Sequence, residues 1–163
     1  MGRSGYGRGP GGGSQPKTLR ILPIRNGTVI DHIPAGQALK VVRILSISEK
    51  ERNTVSIAMN VPSGAMGRKD IVKVENRRLR PQEVQKIALV APRATINIVE
   101  DTRVVRKFKV EPPREVEGLL KCLNPSCITN SNEPTVPRFL RTPQGLRCVY
   151  CERPFGGNIA DHL

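Results

Sequence analysis

The sequence predicts an α+β protein with a larger N-terminal domain and a small, all-β C-terminal domain. Segments with strand and helix periodicity interleave up to residue 110, and short turns join neighbouring strand-like segments. Short connections favour antiparallel pairing, so an antiparallel sheet with two helices on one face is the simplest arrangement. Pro112 and Pro113 then interrupt regular structure, and all four cysteines follow them. We therefore place the domain boundary at 112.

The first segment of the chain has a composition typical of disorder. Residues 1–16 include seven glycines and no side chain that a core would bury. Because ordering a residue costs about 1–2 kcal/mol, such a segment lacks the burial needed to fold. We expect a disordered Gly/Arg-rich tail at 1–17, a sheet-and-helix domain at 18–112 and a cysteine-bearing domain at 113–163.

Two β-favouring runs, 19–25 and 28–33, open the larger domain. The Asn-Gly dipeptide between them predicts a hairpin, because both of its residues tolerate positive φ. A helix is predicted for residues 34–46, with Pro34 in its first turn and apolar residues at helical spacing. The larger domain therefore begins with a hairpin and a helix.

The remaining elements of this domain follow from alternation and turn residues. Residues 53–61 alternate apolar and polar, which predicts a half-buried strand, and 70–76 predict a short strand. Residues 79–91 predict a second helix, and 94–99 and 103–110 predict two more strands. The order β-β-α-β-β-α-β-β indicates a ferredoxin-like domain.

Charge is concentrated in the larger domain. The 163 residues carry 27 Lys and Arg against 14 Asp and Glu, a net charge of +13. Residues 19–110 contribute +10 of this excess and residues 122–163 only +1. A basic balance is typical of proteins that bind nucleic acid or a phosphorylated small molecule. No apolar run approaches the roughly 20 residues of a membrane-spanning helix, so we expect a cytoplasmic protein with no membrane partner.

The four cysteines form two closely spaced pairs. Cys122 and Cys127 are separated by four residues, Cys148 and Cys151 by two, and 20 residues lie between the pairs. Two such turns can place four thiolates around one ion, and Zn²⁺ accepts this ligand set without redox chemistry. Two disulfides, or a rubredoxin-like iron site, are the alternatives. Four sulfur ligands leave no position for water, so the zinc would be structural.

Long strings in both domains resemble one family. They are GTVIDHIP at 27–34, NVPSGAMGRKD at 60–70, KVEN at 73–76 and APRATIN at 91–97. Together with CLNPSCI at 122–128 they resemble the aspartate carbamoyltransferase regulatory chain, in one collinear order over about residues 19–155.

This resemblance implies a chain without catalytic activity. Such chains dimerise through a nucleotide-binding domain, and their zinc domain docks on a separate catalytic chain. Two catalytic trimers and three regulatory dimers form the usual dodecamer. ATP, CTP and UTP bind the regulatory site and control pyrimidine nucleotide biosynthesis.

The resemblance also implies a nucleotide site in the larger domain. Its residues are Ile21, Pro23, Ile24, Asp31, His32, Lys69, Lys73, Asn97, Val99, Val104 and Lys107. Asp31 and Lys107 would contact the ribose and base region, and His32 and Lys69 the phosphates. Lys73 would meet both base and phosphate. The residues before 25 would read the base through backbone groups, and the two valines and Asn97 would line the pocket.

A zinc-ribbon protein that binds nucleic acid is the main alternative. The net charge favours it, but the cysteine-bearing segment is almost neutral and offers few phosphate contacts. Five aromatic residues in the whole chain are too few for a base-stacking surface. An enzyme is disfavoured, because the cysteines are assigned to metal and the chain has two histidines.

Overall fold

The structure is a computed structural model that describes residues 22–48, 50, 52–132 and 135–163. The predictions for the tail at 1–17 and for Ile21 lie outside the described residues. The elements of the larger domain are β1 (Gly27–Pro34), α1 (Ala38–Ile44), β2 (Val55–Ser63), β3 (Gly67–Glu75), α2 (Pro81–Val90), β4 (Thr95–Glu100) and β5 (Arg103–Lys109).

These strands form one antiparallel sheet in the order β2-β3-β1-β4-β5. Both helices pack on one face, where Val41 of α1 and Ile87 of α2 contact the sheet residues Ile30, Val72 and Ile96. All five side chains are fully buried, and each such burial contributes about 1.5–3 kcal/mol. The predicted α+β class with two helices on one face is confirmed.

Two β-bulges lie side by side in this sheet. Between Ile30 and Ile33, β1 has one residue more than β3, and β2 has one more than β3 between Ala58 and Val61. A bulge bends its strand and redirects the side chains beside it. Asp70 of β3 supports this region, because its buried carboxylate accepts hydrogen bonds from the backbone N–H of Asn60 at 2.7 Å and of Ala38 at 3.0 Å.

The hairpin predicted at the Asn-Gly dipeptide is wrong for the residues that the structure describes. Residues 22–26 form no strand. Instead, the side-chain oxygen of Asn26 accepts a hydrogen bond from the backbone N–H of Asp101, and its backbone carbonyl accepts one from the N–H of Asn76. Gly27 has φ +139°, and a Cβ there would lie 2.1 Å from the carbonyl oxygen of Val74. The glycine is therefore required for close packing between strands rather than for a tight turn.

The first helix and β2 also differ from their predictions. Pro34 is the last residue of β1, and the helix begins four residues later at Ala38, where Asp70 caps it. In β2 the predicted half-buried face is wrong at Ile57 and Met59, which are 40% and 42% exposed. The reason is that β2 forms an edge of the sheet, which periodicity in one segment does not reveal.

The C-terminal domain is a three-stranded antiparallel sheet, β6 (Glu115–Glu117), β7 (Arg138–Thr142) and β8 (Gly145–Cys148), with 3-10 turns at Ile128–Asn130 and Ile159–Asp161. Its small core consists of Val116, Leu120, Phe139 and Leu146 together with three cysteines. The cysteine cluster is thus part of the core. The end of the chain joins the two domains, because Leu163 packs against both cores and Leu89 of α2 against the second.

Within the described residues, neither α-helix has the length and apolarity needed to cross a bilayer.

Candidate nucleotide and metal sites

Three of the predicted nucleotide residues lie on the face of the sheet opposite the helices, which we call the open face. Cross-strand pairing aligns Lys73 of β3, Val29 of β1, Asn97 of β4 and Lys107 of β5 in one row. Because Ile30 points into the core, alternation turns its neighbour Val29 and this row to the open face. Two lysines and an amide from three strands therefore lie on one surface.

A second pair of predicted residues lies beside this row at the β1 bulge. The ammonium of Lys69 is 2.8 Å from a carboxylate oxygen of Asp31, and both side chains are largely buried. Burial would raise the pKa of Asp31, but the hydrogen bond and charge of Lys69 and the N–H of His32 outweigh it, so the pKa lies below its ordinary value. Asp31 is therefore ionised and fixed, and Lys69 neutralises it.

Lys73 connects the row with the segment before β1. Its ammonium donates a hydrogen bond to the carbonyl oxygen of Leu22 at 2.8 Å. Burial lowers the pKa of Lys73, and the charge of Asp31 partly opposes this shift. Pro23 is exposed and Ile24 is buried, and neither lies in a strand. Pro23 has no N–H to donate. Within the described residues its carbonyl and the backbone groups of Ile24 make no backbone–backbone hydrogen bond, so these groups remain available to a ligand.

An apolar pair lies on one side of the row, two residues along β4 from Asn97. Val99 of β4 pairs with Gly27 on one side and with Val104 of β5 on the other, which places both valines on the open face. Val99 is buried, whereas Val104 is 57% exposed. An exposed apolar side chain next to a lysine row suits the flat surface of a nucleobase.

The other side of the row opens into a cavity of about 520 Å³. His32 and Lys107 line it together with Arg93 and Lys109, two cations that sequence reasoning did not select. His32 has φ +57°, and its buried Nδ1 makes no hydrogen bond within the described residues, although it lies 3.6 Å from the Asp31 carboxylate. A strained histidine at a bulge, with an unsatisfied ring nitrogen, is typical of a ligand site. The basic pattern of β5 could have indicated Lys109, whereas only the fold brings Arg93 to the same cavity.

The four cysteines converge in the small domain. Their sulfur atoms all lie within 4.8 Å of one another, with Cys122 3.7 Å from Cys151 and Cys127 3.8 Å from Cys148. These two pairs are farther apart than the roughly 2.05 Å of a disulfide bond, and all four cysteines are free, which favours the metal site over two disulfides. Tetrahedral zinc with bonds of about 2.3 Å requires sulfurs about 3.8 Å apart. The residues therefore fit a zinc ion.

Neighbouring groups prepare two of these sulfurs to be thiolates. The Thr129 hydroxyl donates to Cys127 Sγ at 3.3 Å. Burial would raise the pKa of Cys151, but the Arg153 N–H and the Asn124 side chain lower it to about 6. Burial raises the pKa of Cys122 to about 12, and the neighbouring cysteines add to this shift. Four adjacent thiolates repel one another, so a divalent cation is needed to ionise the whole set.

A side-chain amide shapes the first cysteine turn. Nδ2 of Asn130 donates to the carbonyl oxygens of Cys122 at 2.8 Å and of Asn124 at 2.7 Å. These bonds close the loop that carries the first pair of ligands. The same loop and its counterpart after Cys148 leave Leu123, Ile128, Val149 and Tyr150 exposed. We call these four residues the knuckle surface.

Family models match both domains. Residues 19–111 match the aspartate carbamoyltransferase regulatory chain, allosteric domain. Residues 114–161 match the aspartate carbamoyltransferase regulatory chain, metal binding domain. The chain is also similar to curated proteins named aspartate carbamoyltransferase regulatory chain. One from Methanocella arvoryzae is 56% identical over 151 residues, which cover 90% of this chain and 97% of the relative. One from Thermococcus kodakarensis is 55% identical over 152 residues, with 91% and 99% covered.

Proposed function

We propose that nucleoside triphosphates bind the open face of the larger domain. The chain belongs to the aspartate carbamoyltransferase regulatory chain family. The chain is a regulatory subunit with an allosteric and a metal-binding domain, and the zinc-ribbon nucleic-acid alternative is not favoured. We also propose the identity of its effectors, its contacts with partner chains and its lack of catalytic activity. ATP, CTP and UTP are the effectors that we propose, with pyrimidine synthesis as the regulated pathway.

The observation that carries this proposal is the row on the open face. Lys73, Asn97 and Lys107 come from three strands that are distant in sequence, and the register aligns them. We assign Lys107 and Asp31 to the ribose and base region, and Lys73 to base and phosphate. A carboxylate accepts from ribose hydroxyls, and an ammonium donates to them. The free backbone groups at Pro23 and Ile24, the wall of Val99 and Val104, and the Asn97 amide would complete the nucleoside pocket.

Lys69 takes a different role from a direct phosphate ligand. Its ammonium is bound to Asp31 and the side chain is 16% exposed. We propose that it holds the Asp31 carboxylate in place for the nucleotide, while His32, at the edge of the cavity, faces the phosphates. In this proposal the phosphates lie on the cationic side of the row and the base on its apolar side.

The knuckle surface is the proposed contact with the catalytic chain. Leu123, Ile128, Val149 and Tyr150 are between 36% and 45% exposed, and each lies one or two residues from a zinc ligand. A zinc ion held by the four cysteines would fix both cysteine turns, and with them the shape of this surface. Loss of zinc should then release the catalytic chain without removing the nucleotide site.

A second copy of the chain is the proposed partner of β2. This edge strand contains no charged residue and exposes Ile57 and Met59. The opposite edge, β5, carries four cations, which oppose pairing between strands. Antiparallel pairing of two β2 strands would give the regulatory dimer. Three such dimers would then combine with two catalytic trimers to form the dodecamer.

Regulation by this design follows from linkage. A nucleotide can shift the equilibrium between the low-activity and high-activity states of the complex only by the difference in its affinity for them, typically about 1–3 kcal/mol.

We assign no catalytic role to the chain, since its four thiols are placed to bind metal and the ring of His162 packs against Phe155. Because nucleoside triphosphates and reduced thiols are maintained inside cells, the proposal places the protein in the cytoplasm.

Calorimetry with CTP and with ATP tests the proposal. The wild-type chain should bind both, and Lys107→Ala should weaken binding at least about tenfold, since it removes a charged hydrogen bond. Lys40→Ala, which removes a lysine from α1 on the covered face, is the matched control and should bind as the wild type does. The nucleotide proposal is refuted if the zinc-loaded wild-type chain binds neither nucleotide.

A further inference from the structure

Three cations share the cavity beside the row. Arg93, Lys107 and Lys109 line it, and no acidic side chain among the described residues does so. Within the same part of the chain, none of the three forms an ion pair. Elsewhere in this domain acidic groups pair with basic ones, as in Arg77 with Glu83. Uncompensated cations around one cavity point to an anionic ligand.

The register gives this group of cations a direction. Lys107 pairs with Asn97, and Lys109 pairs with Thr95, two residues further from the wall formed by Val99 and Val104. Two residues along a strand span about 7 Å. A ligand whose base contacts the valines and whose ribose reaches Lys107 would therefore extend its phosphate chain toward Lys109.

Arg93 also lines this cavity. It follows Pro92 in the turn between α2 and β4, and its side chain is exposed. A guanidinium is charged at every physiological pH and donates two parallel hydrogen bonds to a phosphate. It shares the cavity with Lys109 and precedes Thr95, the strand partner of Lys109, by two residues. This position fits the end of a phosphate chain rather than a nucleoside.

We propose that Arg93, assisted by Lys109, binds the terminal phosphates of the nucleotide and so makes this site distinguish triphosphates from monophosphates. This inference rests on the proposed nucleotide function, and it adds a residue that determines which phosphorylation state is sensed. The affinity should rise from CMP to CDP to CTP, and removal of Arg93 should flatten this series.

Calorimetry on the zinc-loaded chain with CTP, CMP and inorganic tripolyphosphate tests the assignment. Arg93→Gln should weaken CTP about 5- to 20-fold, as expected for one charged contact in a partly solvated site, and should leave CMP within about twofold. Arg93→Lys keeps the charge but not the paired donors, so its affinity for CTP should lie between those of wild type and Arg93→Gln. Arg43→Gln, an exposed arginine of α1 outside the cavity, should match the wild type.

The outcomes separate the two claims. If Arg93→Gln binds CTP as the wild type does, or loses CMP as strongly as CTP, the role of Arg93 is refuted while the nucleotide site stands. If wild type binds tripolyphosphate in an Arg93-dependent manner but no nucleotide, the proposed nucleotide function fails and the anion cavity remains. Absence of binding by all three ligands overturns both.

Discussion

Replacing Asp70 with alanine should lower the free energy of unfolding by about 3–5 kcal/mol. Asp70 is completely buried, and its two carboxylate oxygens accept from the backbone N–H groups of Asn60 and Ala38. A hydrogen bond to a charged group contributes about 1.5–3 kcal/mol. The loss of both hydrogen bonds, partly offset by water that enters the space left by the smaller alanine side chain, gives the stated range.

The effect should be large because no local group replaces this carboxylate. Gln37, at the N-cap of α1, makes no side-chain hydrogen bond to the helix, so Asp70 supplies the cap from another strand. Asn60 has φ +57° in the β2 bulge, and its N–H would also lose its acceptor. Alanine at 70 thus weakens the start of α1 and the bulge together.

Urea unfolding of the zinc-loaded protein, followed by far-UV circular dichroism, measures this loss. Asp70→Asn keeps one acceptor and should lose roughly half as much, in line with one remaining bond. Asp161→Ala removes an exposed carboxylate and should change stability by less than about 0.5 kcal/mol. If Asp70→Ala unfolds at the same urea concentration as the Asp161→Ala control, the proposed role of the buried carboxylate is wrong.

Three further outcomes are expected. The lowered pKa of Asp31 means that its pair with Lys69 stabilises the fold at pH values above the ordinary carboxyl pKa. This stabilisation is lost as the pH falls through the folded-state pKa, below about pH 4. Urea titrations from pH 7 to pH 3 should therefore show a steeper loss of unfolding free energy with falling pH in wild type than in Asp31→Asn. Gly27→Ala should destabilise the protein by several kcal/mol, since the new Cβ would meet the Val74 carbonyl at 2.1 Å; an unchanged thermal midpoint would contradict this. A strong chelator with a thiol-reactive reagent should unfold the metal domain, seen as rapid proteolysis after residue 113, while retained protection would show that zinc is not needed for its fold.

Much of the fold was accessible from sequence because periodicity reports burial. The alternating residues around Ile30 and Ile96 and the helical spacing of α2 correspond to the sheet and helix seen in the structure. The position of an element within the sheet was not accessible. Ile57 and Met59 alternate as a buried strand would, yet β2 is an edge, and the Asn-Gly dipeptide before β1 contacts other strands instead of forming a hairpin.

The two sites differ in how far sequence could define them. Cysteine spacing alone identifies Cys122, Cys127, Cys148 and Cys151 as one group, because a short turn fixes each pair locally, and the sulfur distances agree. The nucleotide residues are joined only by strand register. Arg93 shows this limit, since nothing in its neighbourhood along the chain marks it, and only the folded chain brings it to the cavity that Lys109 also lines.

The most direct test of the account is the mass of the complex formed with purified catalytic trimers. Native mass spectrometry of the mixture with zinc should show a dodecamer of two catalytic trimers and three dimers of this chain. The Cys127→Ser variant should remain unassembled, yet bind CTP as the wild type does. A normal complex with Cys127→Ser, or no complex with the zinc-loaded wild type, would contradict the claim that a metal-shaped domain joins the nucleotide site to the catalytic chain.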